Sequence, residues 1–224
     1  MAFSLSTEHD FSVFNGTANE DLETGRVYRT PTGERYASIT TLLGKFHDLS
    51  GWRNWVGAEK ADEITKAAGV RGSIFHDSLE KFVVSGGTHH PVENKKTDRM
   101  IQQIEKVLNK DLDCWYGQEL AVYSDILRVA GRTDLLGKFR GNDAIIDYKT
   151  SMKVKNRHVI EDYFIQTCFY GIALREFTSY KPKKLVILMC ADDAPQAQVF
   201  IEDFKDWVAP TVKKIQRFHA GDFA

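Results

Sequence analysis

Near residue 110 the hydrophobic spacing of this chain changes period, and that change limits the folds open to it. Before it the apolar residues fall at helical intervals. From Cys114 onward they come in short extended runs broken by Gly117, Gly131 and Gly141-Asn142. The first part predicts a helix from Trp52 to Ala68, ended by Gly69, another from Gly72 to Gly86-Gly87, and a third from Lys95 to Asn109. In the second of these Ile74, Leu79, Phe82 and Val83 share a face, with His76 and Glu80 four apart beside it. The extended part predicts strands over Cys114 to Tyr123, Arg128 to Val129, Thr133 to Phe139 and Asp143 to Tyr148, an antiparallel meander. A helix from Ile160 to Phe177, a strand from Lys184 to Cys190, an edge strand from Gln196 to Ile201 and a helix from Asp203 to Phe218 follow.

The N-terminal stretch reads differently. Its first two dozen residues are polar and irregular. Arg26 to Thr30 and Glu34 to Ser38 then flank the turn Pro31-Thr32-Gly33 as a β-hairpin, and Ser38 caps a helix through Phe46. Strands wrapped by helices on both sides predict an α/β domain with a mixed sheet. With no repeat, low-complexity tract or linker, residues 1–224 read as a single domain: a hairpin and helical part to about 110 and a core from about 111.

Composition excludes several function classes. Thirty Lys and Arg against 31 Asp and Glu leave a net charge of -1, so no global basic field announces nucleic-acid binding and any such role rests on local patches. No apolar run approaches ~18 residues, so no membrane span is expected. Cys114, Cys168 and Cys190 are too few and too scattered for an iron-sulfur cluster and read as free thiols. The residues before Arg26 are acidic rather than basic, unlike a targeting peptide, and the expected location is cytoplasmic.

The chemistry concentrates in two short stretches. Gly131-Arg132-Thr133-Asp134 is followed, after twelve residues, by Asp147-Tyr148-Lys149-Thr150-Ser151. Asp147 and Lys149 end an apolar strand and point to one face; a hairpin register would set Asp134, at the start of the preceding strand, beside Asp147. Two adjacent carboxylates repel unless protonated or bridged by a cation, and hard oxygen donors select Mg²⁺ or Mn²⁺. Lys149 beside such an ion can orient a water and stabilise charge on a phosphate. An isolated D-x-K also describes an ordinary surface ion pair, so the flanking residues decide.

Those flanking residues are Arg71-Gly72-Ser73-Ile74-Phe75-His76 upstream and Gln166 with Tyr170 downstream. A glycine and then a helical histidine, G-x-x-D, D-Y-K-T and Q-x-x-x-Y, in that order, resemble the RecB-type branch of the PD-(D/E)XK nuclease superfamily. Within it the chain looks most like exonucleases related to the mitochondrial genome maintenance exonuclease and their phage and bacterial relatives. Tyr28-Arg29-Thr30-Pro31-Thr32-Gly33 and Tyr36-Ala37-Ser38-Ile39-Thr40-Thr41-Leu42-Leu43 resemble that group's N-terminal segment.

The resemblance implies a restriction-endonuclease-like core, a central mixed β-sheet flanked by helices. It implies metal ligands at Asp134, Asp147, the Tyr148 carbonyl and His76, with Glu119 as a further ligand or near neighbour, and a catalytic lysine at Lys149. An imidazole ligand tilts the preference toward Mn²⁺. Gln166 and Tyr170 would hold the site and contact DNA, and Glu80 would orient His76 or simply pair along its helix. Arg132, Thr150, Ser151, Lys153, Lys155 and Arg157 would meet phosphates, while Phe14, Tyr36, Trp52 and Trp55 are candidates to stack on bases or to fill the core. The implied activity is a metal-dependent DNA exonuclease on single-stranded ends, with replication or recombination proteins as partners. The rivals are a structure-specific endonuclease, a non-catalytic DNA-binding module and a phosphoesterase acting on small nucleotides. No P-loop for unwinding duplex is present.

Overall fold

A computed structural model describes residues 3–223. Among these residues nine strands form one mixed sheet: β1 (Ser4–Leu5), β2 (Ala18–Leu22), β3 (Gly25–Arg29), β4 (Arg35–Ser38), β5 (Leu112–Ser124), β6 (Val129–Phe139), β7 (Asn142–Ser151), β8 (Lys184–Ala191) and β9 (Gln198–Asp203). Six α-helices accompany them: α1 (Ile39–Gly44), α2 (Ser50–Val56), α3 (Ala58–Val84), α4 (Lys95–Asp111), α5 (Glu161–Phe177) and α6 (Phe204–Ala220). β5, β6 and β7 form the expected antiparallel meander, β8 runs parallel to β7, and β9 returns antiparallel.

Alternation along the strands separates two cores. Leu136, Ile145 and Ile187 face Phe164, Cys168 and Phe169 of α5 and Trp207 of α6. Leu135, Ile146 and Val186 face Phe75, Leu79 and Phe82 of α3 and Ile101 and Ile104 of α4. At about 25 cal/mol per Å² of apolar surface removed from water, these two layers are the main source of stability. No helix among the described residues is long and apolar enough to cross a membrane.

Four expectations need correction. The N-terminal stretch is not wholly irregular: β2 pairs antiparallel with β3, and β1 pairs parallel with β5. Asn19, Glu20 and Asp21 are poor strand formers that suit an exposed edge, which is why pattern alone misses them. The helix break falls at Gly57, with φ 86°, rather than at Gly69; α3 passes through Gly69 and Gly72 unbroken. Helical glycine costs only ~1 kcal/mol, which the packed second half of α3 outweighs. Phe75, not Ile74, belongs to the core, because Ile74 lies on the exposed flank of the helix. Finally, β6 is continuous through Gly131, so Asp134 sits in mid-strand.

Candidate active site

The site begins at a fork in the sheet. β5 lines one edge of β6 from end to end. The other edge is shared: β7 pairs with Leu135 to Phe139, and β4 pairs with Val129 and Ala130. Residues 131–134 between them have no strand partner on that edge among the described residues. A cleft of about 440 Å³ opens there, lined by the β6 residues Gly131, Arg132 and Asp134 together with His76, Glu119, Lys149, Gln166 and Tyr170.

Each acidic group is placed by a different element. Asp134 uses one oxygen to accept the Tyr148 N–H at 2.7 Å, a donor freed where β7 leaves the ladder, and the other lies 3.3 Å from Nδ1 of His76 on α3. Glu119 lies on β5 between residues paired with Leu135 and Thr133, hence opposite Asp134, and holds a left-handed φ of 49°. A side-chain-bearing residue there is strained, and its carboxylate lies in the cleft at the fork. Ligand atoms of His76, Glu119 and Asp134 all lie within 4.8 Å of one another. Asp147 stands just outside that trio. It is 1% exposed, pairs with the Lys149 ammonium, and neither of its oxygens has any other hydrogen-bond partner among the described residues.

The electrostatics express the crowding. Burial pushes Glu119 up to about 7, helped by Asp134. Burial likewise raises Asp147 to about 6, with Lys149 opposing and Asp134 assisting. Burial would raise Asp134 too, but His76, Lys149 and the Tyr148 N–H outweigh it and hold that carboxyl below its ordinary value. Burial disfavours the charged forms of His76 and Lys149, yet Asp134 raises the first and Asp147 with Asp134 raises the second. Three carboxylates share the cleft with the cationic side chains of His76, Lys149 and Arg132, the last 3.7 Å from Glu119. A hard divalent ion fits this donor set: three oxygen-bearing acids, one of them buried with its oxygens otherwise unpaired, and one imidazole.

The supporting layer is packed rather than polar. Gln166 donates to the Tyr170 hydroxyl at 2.8 Å, and both are buried on α5 beneath the cleft. Gly131 leaves room for the Tyr170 ring: a Cβ there would stand 2.6 Å from it. The His76 ring meets Tyr148 edge-on at 6.0 Å. Glu80 is exposed, and His76 takes Asp134 as its carboxylate partner.

The residues expected to meet phosphates are spread out. Arg132 lines the cleft. Thr150 and Ser151 end β7 in register with Cys190 and Ala191, and Lys153 and Lys155 are exposed in the following loop. Arg157 is engaged by Glu202 at 2.7 Å and Glu161 at 3.5 Å, with its guanidinium 5.1 Å from the Trp207 ring centre. Of the aromatic candidates, Phe14 and Tyr36 are buried, Tyr36 donating to Asp125, whereas Trp52 is half-buried and Trp55 is 84% exposed. Sequence reasoning missed Arg26 and Tyr28 as cleft residues. The available signal was their position in a hairpin whose outer strand went unread.

Comparison with known proteins follows the same core. A family model described as the PD-(D/E)XK nuclease superfamily matches residues 99–224, more than half of the chain, and the match includes Asp134, Asp147 and Lys149 but not His76. No curated protein matches the chain. Among solved structures 14 chains match. One, described as "Crystal structure of SSO0001", shares 14% identity at a TM-score of 0.43, covering 82% of this chain and 74% of that one.

Proposed function

The chain belongs to the PD-(D/E)XK nuclease superfamily, and from that premise we propose that it is a metal-dependent deoxyribonuclease, working as an exonuclease on ends of single-stranded DNA. Its single domain, residues 1–224, would act in replication, recombination or repair. The observation that carries the reading is the meeting of His76, Glu119 and Asp134 within 4.8 Å beside the buried Asp147 and the Lys149 it pairs with.

Each side chain has a task. Lys149 keeps its charge beside the buried Asp147 and is itself half-buried in the cleft lining, so it can orient the attacking water and stabilise the charge that builds on the phosphate. Asp147 holds that ammonium in place, and Asp134 fixes His76 and the Tyr148 backbone. Gln166 and Tyr170 form the floor on which the substrate backbone rests. A divalent cation held by His76, Glu119 and Asp134, with Asp147 and the Tyr148 carbonyl as further ligands, would neutralise the acids and lower the pKa of a bound water; the imidazole favours Mn²⁺ over Mg²⁺.

The test uses end-labelled linear single strands, a circular single strand and a duplex, each with Mg²⁺ or Mn²⁺. Loss of the linear strand alone, absent in Lys149→Ala, is the expected result, and the labelled end gives the polarity. A cut circle makes the enzyme an endonuclease. Binding without cleavage under both metals refutes the enzymatic reading.

A further inference from the structure

The hairpin β2–β3 brings a second arginine to the cleft. Arg26 and Arg132 both line it, and the buried Tyr28 phenol, also in the lining, feels both guanidiniums. Arg132 donates to Asn19 of β2 at 2.9 Å and stands 3.7 Å from Glu119, which itself belongs to the acidic trio. It is therefore one group away from the reacting centre. Arg26 is fixed from several directions. Asp21 takes its Nε at 2.7 Å and its Nη2 at 3.1 Å, and its backbone carbonyl accepts the Thr41 hydroxyl at 3.1 Å. Gly25, with φ 123°, lets this turn press on α1, because a Cβ there would fall 2.4 Å from the Thr41 methyl.

We propose that Arg26 and Arg132 together form a subsite for a nucleic-acid phosphate next to the one being cleaved. The proposal rests on the nuclease reading and extends it by a named binding subsite. Three features favour a ligand over a purely structural pair of ion bridges. Both guanidiniums are about half exposed, at 47% and 45% of their side chains, so a bound phosphate can reach them. Their ion pairs lie in solvent, where such pairs contribute little: Asp21, though bonded to Arg26 at two points, is 65% exposed, and Arg132 reaches its carboxylate only at 3.7 Å. The planar fork of each guanidinium suits a phosphate bidentately, and of the acids lining the cleft Glu119 and Asp134 are engaged by Arg132, His76 and the Tyr148 N–H, while Asp77 is exposed to solvent.

The experiment measures binding rather than cleavage. A fluorescent single-stranded hexanucleotide is titrated by anisotropy in chelator across a KCl series, with a 5′-phosphate, a 3′-phosphate or neither. The proteins are the wild type, Arg26→Gln, Arg132→Gln and Asp21→Asn, each confirmed folded by its thermal melt. Each arginine variant should bind about tenfold more weakly and lower the slope of log affinity against log salt by about 0.7, the loss of one phosphate contact to a single strand. Asp21→Asn should bind as tightly or more so, since it frees Arg26. A terminal phosphate that tightens binding only when Arg26 is present assigns the end phosphate; equal affinity of the three strands, with the slopes still arginine-dependent, assigns an internal one. Unchanged slopes in both arginine variants, or parallel losses in Asp21→Asn and Arg26→Gln, overturn the subsite. A wild type that shows these slopes but never cleaves refutes the nuclease reading instead.

Discussion

At the scale of single residues, the cleft depends on what is missing as much as on what is present. Gly131 carries no side chain, and Tyr170 and Ile39 occupy the space where one would be, at 2.6 and 3.1 Å from an added Cβ. Gly131→Ala should therefore cost about 1–3 kcal/mol as α5 is displaced, a fall of several degrees in the midpoint of thermal unfolding. A variant melting like the wild type would show that the ring yields freely. His89 offers a residue-scale test of electrostatics. Its Nδ1 meets Glu105 at 2.8 Å and its Nε2 lies 3.3 Å from Asp98, both on α4. The hydrogen bond to Glu105 raises its pKa, with burial opposing. A raised histidine stabilises fully below its unfolded value of 6.5, and the contribution fades as pH rises through the folded value. The melting-point gap between wild type and His89→Gln should thus be widest near pH 6 and close toward pH 9. A gap that widens with pH would contradict the assignment. The D-Y-K triplet and the G-x-x-D were legible because strand parity fixes their shared face. The role of Glu119 was only half legible, since nothing in its local sequence announces a φ of 49°.

Among elements, α3 shows how far local rules carry. Its second half is set by Phe75, Leu79 and Phe82 in the core, a pattern any periodicity count finds. Its first half has little buried beyond Ala61, so Gly69 and Gly72 looked like a terminus. Helix continuity there is decided by packing further along the chain, which a local window does not contain. Both glycines line the cleft, and an added Cβ at either meets nothing within 4 Å. What they contribute to the cleft is open space, not conformational freedom, because neither has a positive φ; on the proposed function that space takes the substrate backbone. The Gly69→Ala, Gly72→Ala double variant should gain about 1–2 kcal/mol in stability from helix propensity. It should also lose cleavage of DNA, read as a raised KM on an oligonucleotide. Higher stability with unaltered KM would show that the glycines leave no necessary space.

Over the whole molecule, the trio of His76, Glu119 and Asp134 joins an outer helix to the central sheet. His76 comes from α3 on one face of the sheet, and Glu119 and Asp134 come from neighbouring strands within it. Burial raises Glu119 to about 7 and Asp147 to about 6, so both carboxyls at this junction favour a proton or a bound cation. A ligand that binds the folded chain and not the unfolded one adds RT ln(1 + [L]/Kd), about 2.7 kcal/mol at a hundredfold excess over Kd. For a chain of this length that is a rise of roughly 5–11 °C in the melting midpoint. Mn²⁺ should therefore stabilise the wild type in a saturable way. Asp134→Asn, which keeps the shape but removes the charge shared by the cation and His76, should abolish most of the rise. Glu119→Gln should weaken it, and Lys149→Ala should leave it largely intact, because Lys149 competes with the cation for Asp147 rather than ligating it. The order of these shifts, read by scanning fluorimetry without any substrate, separates ligands from catalytic groups. A metal-induced rise of equal size in Asp134→Asn would place the cation elsewhere on the protein.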